Sequence, residues 1–372
     1  MSSAKRLFLI CLVVGSVVLY CCHVILYKSL VNHNKRRPTR VDSIGSPEPN
    51  FTTFHETRSR PKSMTRTFHS PSVTKNMTGI RNVTIGRTAD SCDACFKNDF
   101  RFIVNADVCE DYDKVDLLVL IFTRPKDFQE RQVIRETWGS LCTKAHQIAC
   151  VFLLGFTADA QVMMEIKAES WTQADIVQLD FTESYGNLTF KTMSGFRWSR
   201  DFCSKARFIM KADGDMYVNL ELIPILLQAV PQGKFYGGFC WGEQTPHRSN
   251  SSKWYVSFKS YSHKKFPPVC SGTAYLISSD FLRGLMNVSR NIPFFHLEDV
   301  FIGMAASALK VRPTSINGFT NLHAFFTPCS YRNEVLTSHY VKSGILKKYW
   351  IKSQKCPLAK HSPAVLYNSK KV

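Results

Sequence analysis

The sequence predicts an α/β fold, a mostly parallel sheet with helices on both faces, behind an N-terminal transmembrane anchor. Three observations point there. From Val115 onward, short apolar runs alternate with amphipathic stretches of helical length, the pattern of strand–helix–strand units. The first such run, Val115 to Phe122, is nearly all apolar, as in a strand covered on both faces. Ahead of it, Leu7 to Tyr27 is an apolar run broken only by His23, long enough to cross a bilayer as a helix.

The N-terminal third divides by composition. Residues 1–6 read as a cytosolic tail and 7–27 as an uncleaved signal anchor, because no small-residue cleavage site follows the run. Residues 28–91 turn to Pro, Ser, Thr and Arg without apolar periodicity and read as a flexible stem. The flanking charges, Lys5 and Arg6 against Lys28, Lys35, Arg36, Arg37 and Arg40, would put the body in the cytosol if counted literally. Two features oppose that count: six Asn-x-Ser/Thr sequons, at Asn50, Asn76, Asn82, Asn187, Asn250 and Asn287, and ten cysteines beyond the anchor. No set of those cysteines has the paired spacing of a structural zinc site, and Cys92-x-x-Cys95 stands alone. The body is therefore expected to be lumenal.

The net charge of +19 does not call for nucleic acid. Residues 1–91 carry 14 Lys and Arg against 4 Asp and Glu, so +10 of the excess lies outside the folded body. The remainder suits a groove for an anionic small molecule or a solvated surface.

Along the body, Val115–Phe122 is the first strand, and Gln129–Trp138 a helix expected to stop at Gly139. Ile148–Leu154 and Asp175–Leu179 are further strands, Ala160–Trp171 and Leu188–Cys203 further helices. On the last of these, Met193, Phe196, Phe202 and Cys203 share one side. Phe235–Phe239 and Val269–Ile277 read as strands whose glycines allow close approach of a backbone or ligand. Between them, 241–268 is a long loop rich in aromatic residues, suited to sugar rings or simply a packed loop held by Cys240 and Cys270. The domain is bounded at 92–357, with a basic tail, 358–372, expected to be disordered.

The chemistry concentrates around Phe208-Ile-Met-Lys-Ala-Asp-Gly-Asp-Met-Tyr-Val-Asn219. A short apolar strand ends at Asp213-Gly214-Asp215, and two carboxylates just past a strand end can hold a hard divalent cation against phosphate oxygens. Asp-x-Asp alone is a weak signal, and Asp111-Tyr112-Asp113, ahead of an apolar run, is a decoy. There is no Gly-x-Gly-x-x-Gly or Walker-type loop, which leaves a metal bridge as the common means of holding a diphosphate. Arg131 and Arg135 project from one helix face, either paired with Glu130 or Glu136 or facing a nucleotide. Glu298 and Asp299 fall at a helix start, where they serve as capping partners or supply a general base.

Five blocks in order carry a resemblance: Glu130-Arg-Gln-Val-Ile-Arg-Glu-Thr-Trp-Gly139, Asp180-Phe-Thr-Glu-Ser-Tyr-Gly-Asn-Leu-Thr189 with Lys191-Thr192, Lys211–Asn219, Pro267–Tyr275 and His296-Leu-Glu-Asp-Val-Phe-Ile-Gly303. Across roughly Val115 to Cys356 the chain resembles the Golgi β-1,3-galactosyltransferase and β-1,3-N-acetylglucosaminyltransferase family, glycosyltransferase family 31. The resemblance implies a GT-A-type fold on a single-pass type II Golgi anchor, with UDP-galactose, or alternatively UDP-N-acetylglucosamine, as donor and a glycan of a glycoprotein or glycolipid as acceptor. It implies Mn²⁺ held by Asp215 with Asp213, completed by His339 or else His323. Arg131, Arg135, Lys211 and Asp213 would bind the nucleotide, and Asp299 would be the catalytic base. Gly214 stands where many members carry a middle aspartate, a feature of the galactosyltransferase branch. Nucleic acid is not an expected partner, a homodimer is left open, and a non-catalytic lectin or folding factor on the same scaffold is the reading from another class. That reading would expect one of Asp213, Asp215 or Asp299 to be lost, and none is.

Overall fold

The computed structural model describes residues 98–367 and 369–372. The expected tail, anchor and stem, Cys92, Cys95 and the sequons at Asn50, Asn76 and Asn82 lie outside the described residues. Among the described residues, no helix is long and apolar enough to cross a membrane.

The architecture is mixed α/β. Among the described residues, nine strands form one sheet in the order β1-β4-β3-β2-β5-β8-β7-β9-β11. These are β1 Phe102–Val104, β2 Val115–Phe122, β3 Ile148–Phe156, β4 Ile176–Thr182, β5 Ala206–Asp213, β7 Tyr236–Trp241, β8 Val269–Ser278, β9 Thr314–Ile316 and β11 Ser369–Lys371. The predicted parallel core is β4-β3-β2-β5. Beyond it, β8 runs antiparallel to both β5 and β7, while β9 returns parallel to β7. A separate two-stranded ribbon pairs β6, Tyr217–Val218, with β10, Thr337–Ser338.

Alternation along the central strand builds two cores. Leu118, Leu120 and Phe122 point to one face and pack with helices α3 (Leu188–Phe202), α4 (Ser279–Val288) and α5 (Glu298–Ala308). Leu117, Val119 and Ile121 point to the other, against α1 (Phe128–Glu136) and α2 (Ala160–Gln173). The second core continues into α6 (Pro328–Asn333) and α7 (Ser343–Ser353).

The structure revises the sequence reading in three places. Helix α1 ends at Glu136, because the Thr137 hydroxyl donates to Val133 O at 2.7 Å and its N–H turns to Ile134 O. Trp138 and Gly139 then form a 3₁₀ turn, where a Cβ on Gly139 would lie 2.6 Å from Ile134 O, so the glycine serves close packing. On α3, Phe202 does not share the buried side of Met193 and Phe196; it is 43% exposed. The basic tail is also structured: Ser369–Lys371 adds an antiparallel edge strand to β9, and Leu366 is buried.

Among the described residues, four disulfides join Cys109 to Cys203, Cys142 to Cys150, Cys240 to Cys270 and Cys329 to Cys356. The first closes a separation of 94 residues and the second only 8. On chain entropy alone these are worth about 5 and about 2.5 kcal/mol respectively. Replacing Cys109 and Cys203 together by alanine should therefore lower the denaturant-derived stability by roughly twice as much as the Cys142/Cys150 double replacement. Equal losses would show that native-state strain, and not loop closure, sets the contribution.

Candidate active site

Strand register sets the first carboxylate. β5 lies beside β2 with Asp213 opposite Phe122, and the next amide, Gly214 N, donates to Phe122 O at 2.8 Å. Asp213 is thus the last residue of its strand, at the carboxyl edge of the parallel core, where ligands of open α/β sheets bind. Gly214 is tight for a steric reason: a Cβ there would stand 2.7 Å from Thr123 Cγ2 and 3.1 Å from Phe122 O.

The ribbon brings in a third donor from more than a hundred residues away. Ser338 faces Tyr217, and Val341 N donates to Asp215 O at 2.8 Å, which sets His339 beside Asp215. His339 Nε2 lies 3.3 Å from Asp215 Oδ1, while Nδ1 faces Asn321 O at 3.1 Å. The carbonyl fixes the ring and leaves Nε2 for a ligand. Tyr340 stacks on the imidazole at 3.8 Å between centroids and takes a left-handed φ of 59°, a strained position for a tyrosine. Asp213, Asp215 and His339 each offer a ligand atom, all within 4.8 Å of one another. Two carboxylates and one imidazole fit a divalent cation that accepts oxygen and nitrogen donors. His323 is not in this group; it sits against Tyr349, with Nε2 at 3.3 Å from the phenol.

Burial alone would raise Asp215, but the His339 contact and the Lys211 charge outweigh it and hold the carboxyl below its usual range. Burial also works against the charged imidazole of His339, and Asp215 more than offsets it, so His339 is raised.

Behind the cluster lies a buried cation. Lys211, 2% exposed, donates to Asp213 Oδ1 at 2.5 Å and to Gly272 O. Its pKa is raised although burial opposes the charge, because Asp213, Glu298 and Asp299 surround it. Glu298 and Asp299 open α5, as the sequence predicts. Asp299 Oδ1 accepts from Val300 N at 2.9 Å, and burial raises its pKa against the pull of that amide and of Lys211. Glu298 is buried more completely, and Tyr275 Oη donates to its Oε1 at 2.6 Å. Burial, with the like charge of Asp299 and against Lys211, pushes it up to about 7. Gly272 makes room: a Cβ there would stand 2.8 Å from Glu298 Oε2.

Two expected nucleotide ligands occupy different surroundings. Arg131 is fully buried; its Nη2 pairs with Glu169 at 2.6 Å, and its other donors reach Arg124 O at 2.9 Å and Pro125 O at 3.2 Å. Arg135 pairs with Asp175 and Glu169, each at 2.8 Å. The partners are thus Glu169 and Asp175, not Glu130 or Glu136, and their donors are engaged inside the protein. Arg131 shares its task with Lys191, which donates to Thr123 O and Glu183, each at 2.8 Å. Two buried cations therefore hold three successive carbonyls of the loop after β2. The decoy Asp111 pairs with Lys144 at 81% exposure, a surface contact.

Sequence reasoning placed Glu298 at a helix start as a cap or base and gave Gly272 only a general role in close approach, and it gave no role to Tyr275, Glu169 or Lys191. Only tertiary packing joins them to the site.

Two carboxylates and an imidazole at the carboxyl edge of the parallel core, backed by a buried lysine, make a site suited to a divalent cation and an anionic ligand. The galactosyltransferase family profile matches residues 129–317. The chain is 38% identical over 243 residues to β-1,3-galactosyltransferase 5 of Pan paniscus, covering 63% of this chain and 79% of that one. It is 36% identical over 255 residues to β-1,3-galactosyltransferase 1 of Mus musculus, covering 68% and 78%. A glycosyltransferase involved in glycosylation of the major capsid of PBCV-1 aligns over 63% of this chain and 98% of that one at 11% identity, with a TM-score of 0.37. The chain belongs to the galactosyltransferase family.

Glu298 gives a stability signature. In the unfolded chain it ionises near 4.5, and in the folded chain at about 7. The raised value means that its contribution is complete below the unfolded pKa and is lost as pH climbs through the folded one. Glu298→Gln keeps an acceptor for Tyr275 and cannot ionise. Wild type should therefore lose several degrees of Tm relative to the variant between about pH 4.5 and pH 8. Parallel pH–Tm curves would show that Glu298 does not ionise in that window.

Proposed function

We propose that the chain is an inverting β-1,3-galactosyltransferase of GT-A type that transfers galactose from UDP-galactose to a sugar hydroxyl of a glycan. The observation that carries this reading is that Lys211 bonds both Asp213, in the Asp213–Asp215–His339 donor set, and the carbonyl of Gly272, the residue that packs beside Asp299. A nucleotide-diphosphate site and a general base are thereby held in one rigid group.

Asp213, Asp215 and His339 would hold the divalent cation, Mn²⁺ in this reading, which when bound supplies charge neutralisation to the departing diphosphate. Asp299 takes the proton of the acceptor hydroxyl as that oxygen bonds to the anomeric carbon. The bond from that carbon to the diphosphate oxygen breaks, and its electron pair leaves on UDP. One displacement converts an α-linked donor to a β-linked product. A carboxylate raised by burial is a better base than one in water, and Lys211 keeps it available in the ionised form. Lys191 and Arg131 hold the Thr123–Pro125 carbonyls, a fixed wall for the nucleotide beside Asp213.

Galactose is supported by the family and by the names of the relatives. Gly214 adds to it, since a small residue in the middle of the Asp213–Asp215 motif resembles the galactosyltransferase branch. A lumenal Golgi body behind an N-terminal anchor is supported by the four disulfides and by the exposed sequon asparagines Asn250 and Asn287.

Donor competition with Mn²⁺ present, on acceptors ending in galactose, N-acetylglucosamine and N-acetylgalactosamine, tests the sugar. UDP-galactose should give the higher kcat/KM. A preference for UDP-N-acetylglucosamine on every acceptor overturns the galactosyl reading.

Two substitutions separate the roles in the site. Asp215→Asn should abolish Mn²⁺-dependent UDP binding, and EDTA should do the same to wild type. Asp299→Asn should keep UDP binding and lose about 10²–10⁴-fold in transfer. Full metal-dependent binding by Asp215→Asn, or lost binding by Asp299→Asn, would reverse the assignment.

A further inference from the structure

One group of side chains beside Asp299 has no part in the chemistry described above. The 3₁₀ turn Tyr185–Asn187 precedes α3, and two contacts tie that region to the segment leading into α5. Thr189 Oγ1 donates to Phe295 O at 2.6 Å, and Phe190 stacks on Phe294 at 4.5 Å. The Tyr185 phenol is thereby set within the field of the catalytic carboxylates; burial and the charges of Asp299 and Asp213 raise its pKa. Lys253 Nζ lies 4.6 Å from the Trp254 ring centroid and 6.0 Å from that of Tyr185.

Trp254 comes from the long aromatic loop between β7 and β8, and that loop is firmly held. Arg248 donates to Val256 O at 2.9 Å, and to Tyr261 O and His263 O at 3.0 Å. Tyr261, Phe266 and Phe295 pack ring against ring beneath it. The Cys240–Cys270 disulfide closes its base. Although so much of the loop is fixed, Trp254 remains 45% exposed and Tyr185 50% exposed. Large aromatic surface left open on an ordered loop, next to a general base, is a recognition surface in waiting.

We propose that Tyr185 and Trp254, with Lys253 at their edge, form the subsite for the acceptor saccharide. This rests on the glycosyl-transfer reading above and deepens it. The C–H face of a pyranose ring packs on the Trp254 indole, while the Tyr185 hydroxyl and the Lys253 ammonium meet its hydroxyls. Aromatic side chains suit this task because they offer a large, rigid apolar face with a polar handle. The position beside Asp299 carries the attacking hydroxyl to the base, so the subsite acts on acceptor affinity and orientation and takes no proton itself.

Steady-state kinetics of the full-length chain test this, with UDP-galactose as donor and the methyl β-glycosides of N-acetylglucosamine, galactose and N-acetylgalactosamine as acceptors. Methyl aglycones keep the probe from bringing its own aromatic ring. Trp254→Ala should raise the acceptor KM at least about tenfold, with the KM for UDP-galactose and the affinity for UDP as in wild type. Trp254→Phe, which restores a ring face, should recover most of the loss. Tyr185→Phe should raise the acceptor KM less than Trp254→Ala does. An unchanged acceptor KM in Trp254→Ala overturns the proposal. So does a rise in the donor KM alone, which would place the donor on the indole. If wild type transfers to none of the three glycosides, the galactosyltransferase reading is what fails. Saturation-transfer NMR of the same glycosides then decides the subsite: binding by wild type that Trp254→Ala loses supports it, and no binding or equal binding overturns it.

Discussion

A lysine buried among three carboxylates is the constraint on which the site depends. Lys211 reaches Asp213 and Gly272 O directly and lies within the field of Glu298 and Asp299. An ammonium taken out of water is costly unless it is paired, and the same holds for each acid around it. Comparison with Lys191 shows how the balance is struck. Lys191 is equally buried but has Glu183 as its ion-pair partner, and there burial wins and lowers its pKa. Lys211 has three acids near it, and its pKa is raised. The difference is one of position: Lys211 lies on β5 between the Asp213–Asp215–His339 cluster and the start of α5, where acids from both sides meet. Removing any one acid redistributes charge among the others, so the four groups act as a unit.

Much of the frame was legible in the sequence because it depends on local pattern. The all-apolar run Val115–Phe122, the strand ending at Asp213 and the helix opening at Glu298 are each readable from a few neighbouring residues. What the sequence hid were pairings between distant segments. Arg131 and Arg135 were read against acids on their own helix, whereas their partners are Glu169 at the far end of α2 and Asp175 at the entrance to β4. Periodicity says which side of a helix a residue faces, and nothing about which segment packs there. His339 against His323 was a choice of the same kind: a ribbon of two residues per strand puts His339 beside Asp215, and two residues are too few to carry a pattern.

The glycines divide in an instructive way. Gly214 stands where the resemblance would place an aspartate. In the structure it is held to glycine by Thr123 Cγ2 and Phe122 O, on the neighbouring strand β2 and the loop after it. Thr123 is in turn fixed by Lys191 through its carbonyl, with Arg131 holding the next two. A substitution at Gly214 would therefore press on a loop that two buried cations hold in place. The resemblance could note that an aspartate was missing; only packing supplies the reason one would not fit. Gly272 does the same for the other half of the site, leaving the space that Glu298 Oε2 occupies.

Rigidity is then distributed by function. The loop after β2 is clamped through its carbonyls, His339 is fixed through Asn321 O, and Asp299 sits at the head of a helix that packs on β8. Each reacting or ligating group is held by a neighbour that does not itself react, which is how a site keeps sub-ångström order without strain in the groups that do the work. The aromatic loop follows the same rule with a different outcome. Arg248 and the Tyr261–Phe266–Phe295 cluster fix its backbone and leave the Trp254 ring partly exposed. The two halves of the site therefore differ in kind: charge and hydrogen bonds fix the Asp213–Asp215–His339 side, whereas the side toward Trp254 leaves apolar faces exposed. Charge suits a ligand whose phosphates are the same in every turnover, and aromatic faces suit one recognised by the shape of a ring.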